Sequence, residues 1–251
     1  MKKRKKPFFS IITVTKNSEK TLIRNLKSLN SQTCKDFEHI IIDGYSSDRT
    51  INIVKKYKKK IDFFISKKDK NMWEAINTGI KHSKGKIIGI LNSDDILYPN
   101  GLKIVKKYFN SKKIDFLCAS VRKKKVYHGF FPNKVNYKFN IFPSHSVGFY
   151  INKKVQNKIG LYDEKLKYCA DYDLIYRLIR NGFKGHHTKK TELVGKFYPG
   201  GISERINFIE YVYYQAIVRL KNKDNFFYVM LLSIAHIFYY YIKKLFNEKN
   251  F

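Results

Sequence analysis

"IDFFISKKDKNMWEAINTGIKHSKGKIIGILNSDD", Ile61 to Asp95, is the stretch on which the fold turns. "IDFFIS" (61–66) is short, β-branched and aromatic, hence a strand. "MWEAINTGIKH" (72–82) spaces its apolar residues as a helix does, and "KIIGIL" (86–91) is again a strand. A strand, helix and strand in close succession place the two strands parallel, because a parallel pair needs a crossover that a helix supplies. The second strand stops at Asn92-Ser93-Asp94-Asp95, two adjacent carboxylates in a chain with 51 Lys and Arg against 20 Asp and Glu.

The same alternation extends outward on the N-terminal side. "FFSIITVT" (8–15) and "EHIIID" (38–43) read as strands. "TLIRNLKSL" (21–29) reads as a helix with Ser18 or Thr21 as its cap, and "DRTINIVKKY" (48–57) as a second, entered through Ser46 and Ser47. Strands that are apolar almost throughout and separated by helices predict an α/β domain with a mostly parallel central sheet covered on both faces. Such sheets bind ligands beyond the carboxyl ends of their strands. The informative positions are therefore the exits: Thr15-Lys16-Asn17, Asp43-Gly44, Ser66 to Asn71, and Asn92 to Asp95. Three of these four exits carry aspartate.

Beyond Phe109 the pattern loosens. "KIDFLCASV" (113–121) and "SVGFYI" (146–151) are expected strands, and "PGGIS" (199–203) a flexible turn. "ADYDLIYRLIRNG" (170–182) is a helix with acids in its first turn, Arg177 and Arg180 late, and Gly182 as its C-cap. From about Arg205 the chain becomes aromatic-rich and helical, which divides it into an α/β domain over 1–204 and a helical extension over 205–251.

Composition narrows the function. A chain that is 43% hydrophobic and 16% aromatic is too apolar to be a disordered polybasic tail. A net charge of +31 calls for anionic company: nucleic acid, anionic lipid or phosphorylated substrates. Cys34, Cys118 and Cys169 are odd in number and lack CxxC spacing, which argues against a zinc site or disulfide framework and for a reducing compartment. The opening "MKKRKKPFFSIITVTKNS" mimics a signal peptide, but its apolar run is short and β-branched, so it reads as a basic tail leading into the first strand.

Acids at strand exits suit a hard divalent cation, since Mg²⁺ is held by one or two carboxylates together with substrate phosphates. By residue type alone, Asp94 and Asp95 serve equally well as turn residues before Pro99, and Asp43-Gly44 as a strand-to-turn junction.

The ordered segments "SIITVTKN", "IIIDGYSSDRT" and "SKKDKNMWEAINTGIKHSKGKIIGILNSDD" resemble family 2 glycosyltransferases of the GT-A fold. The likeness is to the bacterial surface-polysaccharide, colanic-acid-type subgroup, which also builds lipid-linked glycans. It spans roughly the first hundred residues and returns at "HSVGFYI" and "IGLYDEKLKYCADYDLIYRL". The resemblance implies a metal-dependent, inverting enzyme that moves a sugar from a nucleoside diphosphate donor, UDP-linked by expectation, to a glycan or lipid-linked hydroxyl. It implies that Thr15, Asn17 and Asp43 hold the nucleoside, and that Asp69, Asn77, Trp73, Asn92 and His145 line the substrate cleft. Asp94 and Asp95 would hold Mg²⁺ or Mn²⁺, with Asn92 standing where the family's DxD signature has its first acid. Asn71 stands where similar proteins have glycine after "DK". Asp171 matches the general base that takes the proton from the attacking hydroxyl. By residue type it equally fits a helix N-cap, just as Asp48 fits a cap for the helix it precedes, His145 a structural histidine and Trp73 a core residue. Asp173, two residues on, is expected to be a structural partner, and His186 and His187 receive no role.

Two rivals differ in class. A sugar nucleotidyltransferase would want a Gly-rich loop after the first strand, which "TVTKNSEKT" lacks. A nucleic-acid or anionic-membrane binder without catalysis would account for the charge, but the lysines occur as scattered doublets and triplets with no nucleic-acid-binding motif. The uncharged "FFYVMLLSIAHIFYYYI" (226–242), followed by Lys243 and Lys244, falls short of the roughly 20 residues of a spanning helix. It predicts a helix lying on the cytoplasmic face of the membrane, with packing on the catalytic domain or another subunit as the alternative and a true span as the third.

Overall fold

A computed structural model of the chain describes residues 6–138, 145–200 and 206–248. The first basic residues, residues 139–144 and part of the "PGGIS" turn lie outside them.

The strands β1 (Phe9–Thr15), β2 (Phe37–Asp43), β3 (Phe63–Ser66) and β4 (Ile87–Ile90) form one side of a seven-stranded sheet, with β3 at its edge. Its order is completed by β9 (Phe149–Asn152), β6 (Phe116–Cys118) and β10 (Gly185–His187) in the sequence β10-β6-β9-β4-β1-β2-β3. All neighbours run parallel except β9, which is antiparallel to both β4 and β6. The mostly parallel sheet is as expected.

Every residue of β1 is buried, and the alternation of its side chains explains why. Ile12 and Val14 face α3 (Met72–His82) and α6 (Ala170–Arg180), where they join Ile76, Ile80, Leu174 and Leu178. Phe9 and Ile11 face the other side and pack with Leu102 and Val105 of α4 (Gly101–Ser111). Gly79 lets α3 lie directly on β1, since a Cβ there would come within 2.4 Å of Ile12 Cγ2. Against Ile41 pack Leu22 and Leu26 of α1 (Leu22–Asn30) and Ile53 and Val54 of α2 (Thr50–Lys56).

Several local expectations are revised. The run 113–121 is not one strand. It breaks after Cys118, where the Ala119 N–H donates to Gly148 O, and resumes as β7 (Ser120–Arg122) in a second sheet. That four-stranded sheet, in the order β5 (Ile96–Leu97), β11 (Leu193–Lys196), β7 and β8 (Val126–Tyr127), is built from strands too short to show a period in sequence. "SVGFYI" opens with a 3-10 turn, Ser146–Gly148, before β9, which α5 (Lys153–Ile159) follows. Neither Ser18 nor Thr21 caps α1 with its side chain; the Ser18 carbonyl accepts from the Thr21 and Leu22 amides instead. Gly182 does take the left-handed conformation just past α6, at φ +72.

The extension divides in two. α7 (Phe208–Lys221) buries Val212, Gln215 and Val218, with Val218 in the same core as α6. Arg219, fully buried, donates to the Val135 and Lys138 carbonyls and to Asp224, which also takes Arg180 and the Tyr176 hydroxyl. The expected boundary at 204/205 thus falls before a helix that is part of the main packing, and only α8 (Phe226–Glu248) stands largely outside it.

Candidate active site

The parallel register lines up three strand ends: Thr15 pairs with Asp43, and Asp43 with Ser66. Asp43 has no exposed surface and is fully hydrogen-bonded. Its Oδ1 accepts from Thr15 Oγ1 at 2.8 Å and Ser46 Oγ at 2.5 Å, and its Oδ2 from Ser66 Oγ at 2.7 Å and the Ser46 amide at 3.0 Å. A buried carboxylate with all four acceptor positions filled fixes the strand exits rigidly. Asp43 and Thr15 therefore tie the strand exits together, and the Asp43 carboxylate is taken up within the protein.

Asn17 closes the same corner. Its backbone adopts φ +50, a conformation Asn tolerates; its amide donates to Ser46 Oγ at 2.8 Å and its Oδ1 accepts from the Ser47 amide at 2.9 Å. Asp69 rests on Gly44, where a Cβ would lie 2.7 Å from Asp69 Oδ2, so glycine is needed for this approach. Burial pushes the Asp69 carboxyl up, Lys16 opposes this, and Glu74 and Asp43 add to it. Asp48 caps α2, accepting from the Thr50 amide at 2.9 Å and from the Glu19 amide at 3.0 Å.

Ser18 Oγ meets Ser93 Oγ at 2.8 Å and joins this corner to the acidic turn after β4. The turn is held through its backbone. Asn25 Nδ2 donates to the Asn92 and Asp95 carbonyls at 2.7 and 3.1 Å, and Arg24, stacked on Tyr198, donates to the Asp94 carbonyl at 2.7 Å. The side chains are left differently. Asp95 is 1% exposed; its Oδ1 accepts from the Tyr198 amide at 3.2 Å, while its Oδ2 has no hydrogen-bond partner. Asn92 donates to Ser146 Oγ at 2.9 Å, but its buried Oδ1 is unpartnered, as is Oδ1 of Asn25. Burial pushes Asp94 up, and it pushes Asp95, with Asp94 adding to it, up to about 8.

His145 lies with Nδ1 3.5 Å from Asp95 Oδ2, its ring stacked flat on Phe197 at 4.3 Å. Burial, with Lys123 adding to it, lowers its pKa to about 4, so it is neutral at pH 7 and does not neutralise Asp95. Unpaired buried acceptor oxygens are costly, and a divalent cation is the kind of group that would satisfy them together with the diphosphate it binds. Among the described residues there is no cluster of three or more His, Cys, Asp or Glu that could hold a metal. The chain offers two carboxylates and amide oxygens, which fits a cation that takes its remaining ligands from a substrate.

Asp171 sits in the first turn of α6, after Cys169 at φ +63. Its Oδ1 accepts from the Tyr172 amide at 2.8 Å, and burial pushes its carboxyl up. Its charge acts on the hydroxyls of Tyr162 and Tyr211, which places it between the segment after α5 and the start of α7. Asp173 is structural: fully buried, it accepts from Arg177 Nε at 2.8 Å, Asn222 Nδ2 at 3.1 Å and Lys221 Nζ at 3.2 Å.

Two expected substrate contacts belong to the interior instead. Trp73 is 8% exposed, stacks on Tyr162 at 5.3 Å and donates Nε1 to the Lys167 carbonyl. Asn77 spends its amide on residues 162–164: Nδ2 donates to Tyr162 O and Glu164 Oε1, and Oδ1 accepts from the Tyr162 amide. Asn71, the departure from glycine, caps α3 through the Trp73 and Glu74 amides and ties it to the Glu164 carbonyl. The sequence reading missed Arg24, Asn25, Ser93 and Tyr198, which carry the acidic turn. The first two look like ordinary polar faces of an amphipathic helix, and nothing in their spacing singles them out.

The fold is that of GT-A glycosyltransferases. Staphylococcus aureus TarS in complex with UDP-GlcNAc superimposes with a TM-score of 0.68 at 19% identity, over 90% of this chain and 70% of that one. A mannosyltransferase from Pyrobaculum calidifontis solved with GDP-Man and Mn²⁺ superimposes with a TM-score of 0.67 at 14% identity, over 88% of this chain and 66% of that one. Residues 10–170 match the family model for glycosyl transferase family 2, and the chain belongs to that family. An uncharacterised glycosyltransferase of Methanocaldococcus jannaschii is 30% identical over 88% of this chain and 82% of its own length. One from Rickettsia typhi is 31% identical over 69% of this chain, which spans 59% of that relative. The poly(ribitol-phosphate) β-N-acetylglucosaminyltransferase TarP of S. aureus is 37% identical over 44% of this chain and 35% of its own length.

Proposed function

We propose that the chain transfers a sugar from a UDP-linked donor to a hydroxyl of a glycan or lipid-linked acceptor, with inversion at the anomeric carbon and dependence on Mg²⁺ or Mn²⁺. The observation that carries this reading is the acidic turn after β4, with its unpartnered buried oxygens on Asn92 and Asp95 beside Asp94. TarS, solved with UDP-GlcNAc, supports the choice of donor. Asp43, Thr15, Asn17 and Asp69 shape the nucleoside pocket, with Asp43 as its rigid floor. Asp94, Asp95 and Asn92 would hold the cation, which when bound would stabilise charge on the leaving diphosphate. His145 backs Asp95 as a neutral ring.

Asp171 takes the proton of the acceptor hydroxyl. The hydroxyl oxygen forms its bond to the anomeric carbon as the bond to the diphosphate oxygen breaks. The electron pair leaves with the diphosphate and the proton ends on the Asp171 carboxylate. Burial raises the basicity of this carboxylate, the direction that favours a general base. A single displacement by a single base needs no covalent intermediate. The charge of +31 favours an acceptor that is itself anionic, such as a lipid-linked diphosphate glycan or a phosphate-bearing polymer of the surface-polysaccharide kind.

The test is a panel of nucleotide sugars screened for release of the nucleoside diphosphate, alongside thermal stabilisation by UDP with Mn²⁺. Asp171→Asn should abolish transfer and keep the stabilisation, whereas Asp94→Ala should lose both. If UDP with Mn²⁺ does not stabilise the protein, or Asp94→Ala releases product normally, the reading is wrong. A polybasic binder without catalysis predicts no release from any donor.

A further inference from the structure

α8 is the most exposed large apolar element of the molecule. Phe226–Phe246 is long and apolar enough to cross a bilayer, yet only 6% of its most apolar window is buried. No Asp, Glu, Lys or Arg occurs from 225 to 242. What covers this helix follows from how it is attached.

α7 and α8 form an antiparallel hairpin that is fastened at both ends. Near the start of α8 the Tyr228 hydroxyl donates to the Asn136 carbonyl, Val229 is 2% exposed, and the Arg219 guanidinium lies over the Tyr228 ring. Twelve residues on, the Tyr240 ring stacks on Phe208, at the start of α7, at 3.8 Å, and His236 lies beside the same ring. About 18 Å of helix is therefore held lengthwise along the domain. A span needs about 20 residues free of the soluble body, and the packing of Tyr228, Val229, His236 and Tyr240 leaves no such run within α8.

A stripe of exposed apolar residues runs along α8. Phe227, Leu231, Ile234 and Phe238 are 67, 62, 58 and 66% exposed, and Leu245 lies further along it, while Tyr241 borders the groove between α7 and α8. A seam for a second copy would carry this stripe between charged flanks, as coiled-coil partners do. Here the flanks are apolar too: Phe226, Met230 and Tyr239 are 60, 41 and 63% exposed. Exposed Lys243 follows the uncharged run, and exposed Lys223 precedes it by way of Asp224, which is neutralised by Arg180 and Arg219, on a chain of net charge +31. An apolar face rich in aromatics and closed at both ends by lysine fits the headgroup region of an anionic bilayer.

We propose that α8 docks the protein in the plane of an anionic membrane surface, outward face down, without crossing it and without leaving α7. The acceptor site would then sit at a fixed distance from the lipid surface, as a lipid-linked glycan requires.

The experiment is flotation of the full chain with vesicles of phosphatidylcholine alone or mixed with phosphatidylglycerol. Binding should require the anionic lipid and be reversed by alkaline carbonate. The double variant Leu231→Glu/Phe238→Glu, at positions that are 62 and 66% exposed, should lose at least about tenfold in partitioning while keeping its thermal midpoint and its UDP–Mn²⁺ stabilisation. Carbonate-resistant protein would overturn the proposal in favour of a span. A lipid-indifferent dimer that the double variant turns into monomer would overturn it in favour of a self-contact. Unchanged binding by the double variant would overturn the face assignment. None of these readouts depends on sugar transfer.

Discussion

Asp95→Asn separates the needs of the fold from those of the ligand. The carboxyl is 1% exposed and is pushed from its ordinary 3.8 to about 8, first by burial and then by Asp94. Between pH 3.8 and 8 the folded protein keeps this proton while the unfolded chain loses it. Stability therefore falls as pH rises through that window, by about 1.4 kcal/mol per unit; the contribution is whole below 3.8 and gone above 8. At pH 7 the accumulated cost is about 4 kcal/mol. The amide removes it and can still accept from the Tyr198 amide. The ligand-free variant should melt higher, by roughly 10 °C at the full value for a chain of this size, and its midpoint should no longer fall between pH 6 and 8. The same variant should lose most of the stabilisation by UDP with Mn²⁺. Calorimetry of both proteins across pH, with and without ligand, gives both readouts. A variant that melts lower without ligand would show that the carboxylate serves the fold, and the case for an oxygen kept for a cation would fail.

Asn77→Ala removes three hydrogen bonds to residues 162–164 and should cost about 2–4 kcal/mol in urea unfolding, with donor stabilisation retained by the fraction that is folded. Arg219→Met strips a buried guanidinium from two carbonyls and Asp224; a loss of about 3–5 kcal/mol is expected, with faster proteolysis between α7 and α8. His39 is buried against Thr13 and its pKa is lowered to about 3 by burial, so the unfolded chain takes up a proton below 6.5 that the folded protein refuses. Its contribution is whole above 6.5 and falls by about 1.4 kcal/mol per unit toward pH 3, and His39→Gln should flatten the acid limb of the stability curve. An unchanged acid limb would remove that assignment.

The central sheet was legible because its strands are long, apolar and separated by helices, so that burial on both faces is written as near-continuous Ile, Val and Phe. The second sheet was not, because strands of two to four residues bury too little to leave a pattern. At the site, residue type found Asp43, Asp94 and Asp95, but not how each is used. Asp43 is filled by serines and a threonine brought from three strand ends, a satisfaction that only register reveals. Asp95 differs because its Oδ2 is left without a partner. Trp73 and Asn77 were assigned to the cleft through the motif they occupy, and their contacts lie across long loops, with Lys167 and with 162–164, that no local periodicity encodes.

Asn92 in place of an acid has an energetic consequence for how the site fills. With Asp95 pushed up to about 8, that carboxyl is mostly protonated at pH 7, and Asn92 is neutral. The turn then presents little more than the charge of Asp94, itself pushed up by burial and faced by the cationic Arg24. A dipositive ion entering alone would have to displace the Asp95 proton without enough negative charge to balance it. The diphosphate supplies that charge, so cation and nucleotide should bind cooperatively, each raising the affinity for the other by the same factor. Mn²⁺ alone should leave the melting midpoint almost unmoved, while UDP and Mn²⁺ together should raise it by more than the sum of their separate effects. Asn92→Asp should reverse the balance: a third carboxyl beside two buried ones lowers ligand-free stability and lets Mn²⁺ bind alone. If Mn²⁺ by itself stabilises the natural protein as much as Mn²⁺ with UDP, the chain holds a complete metal site of its own, and the account of the unpartnered oxygens must be abandoned.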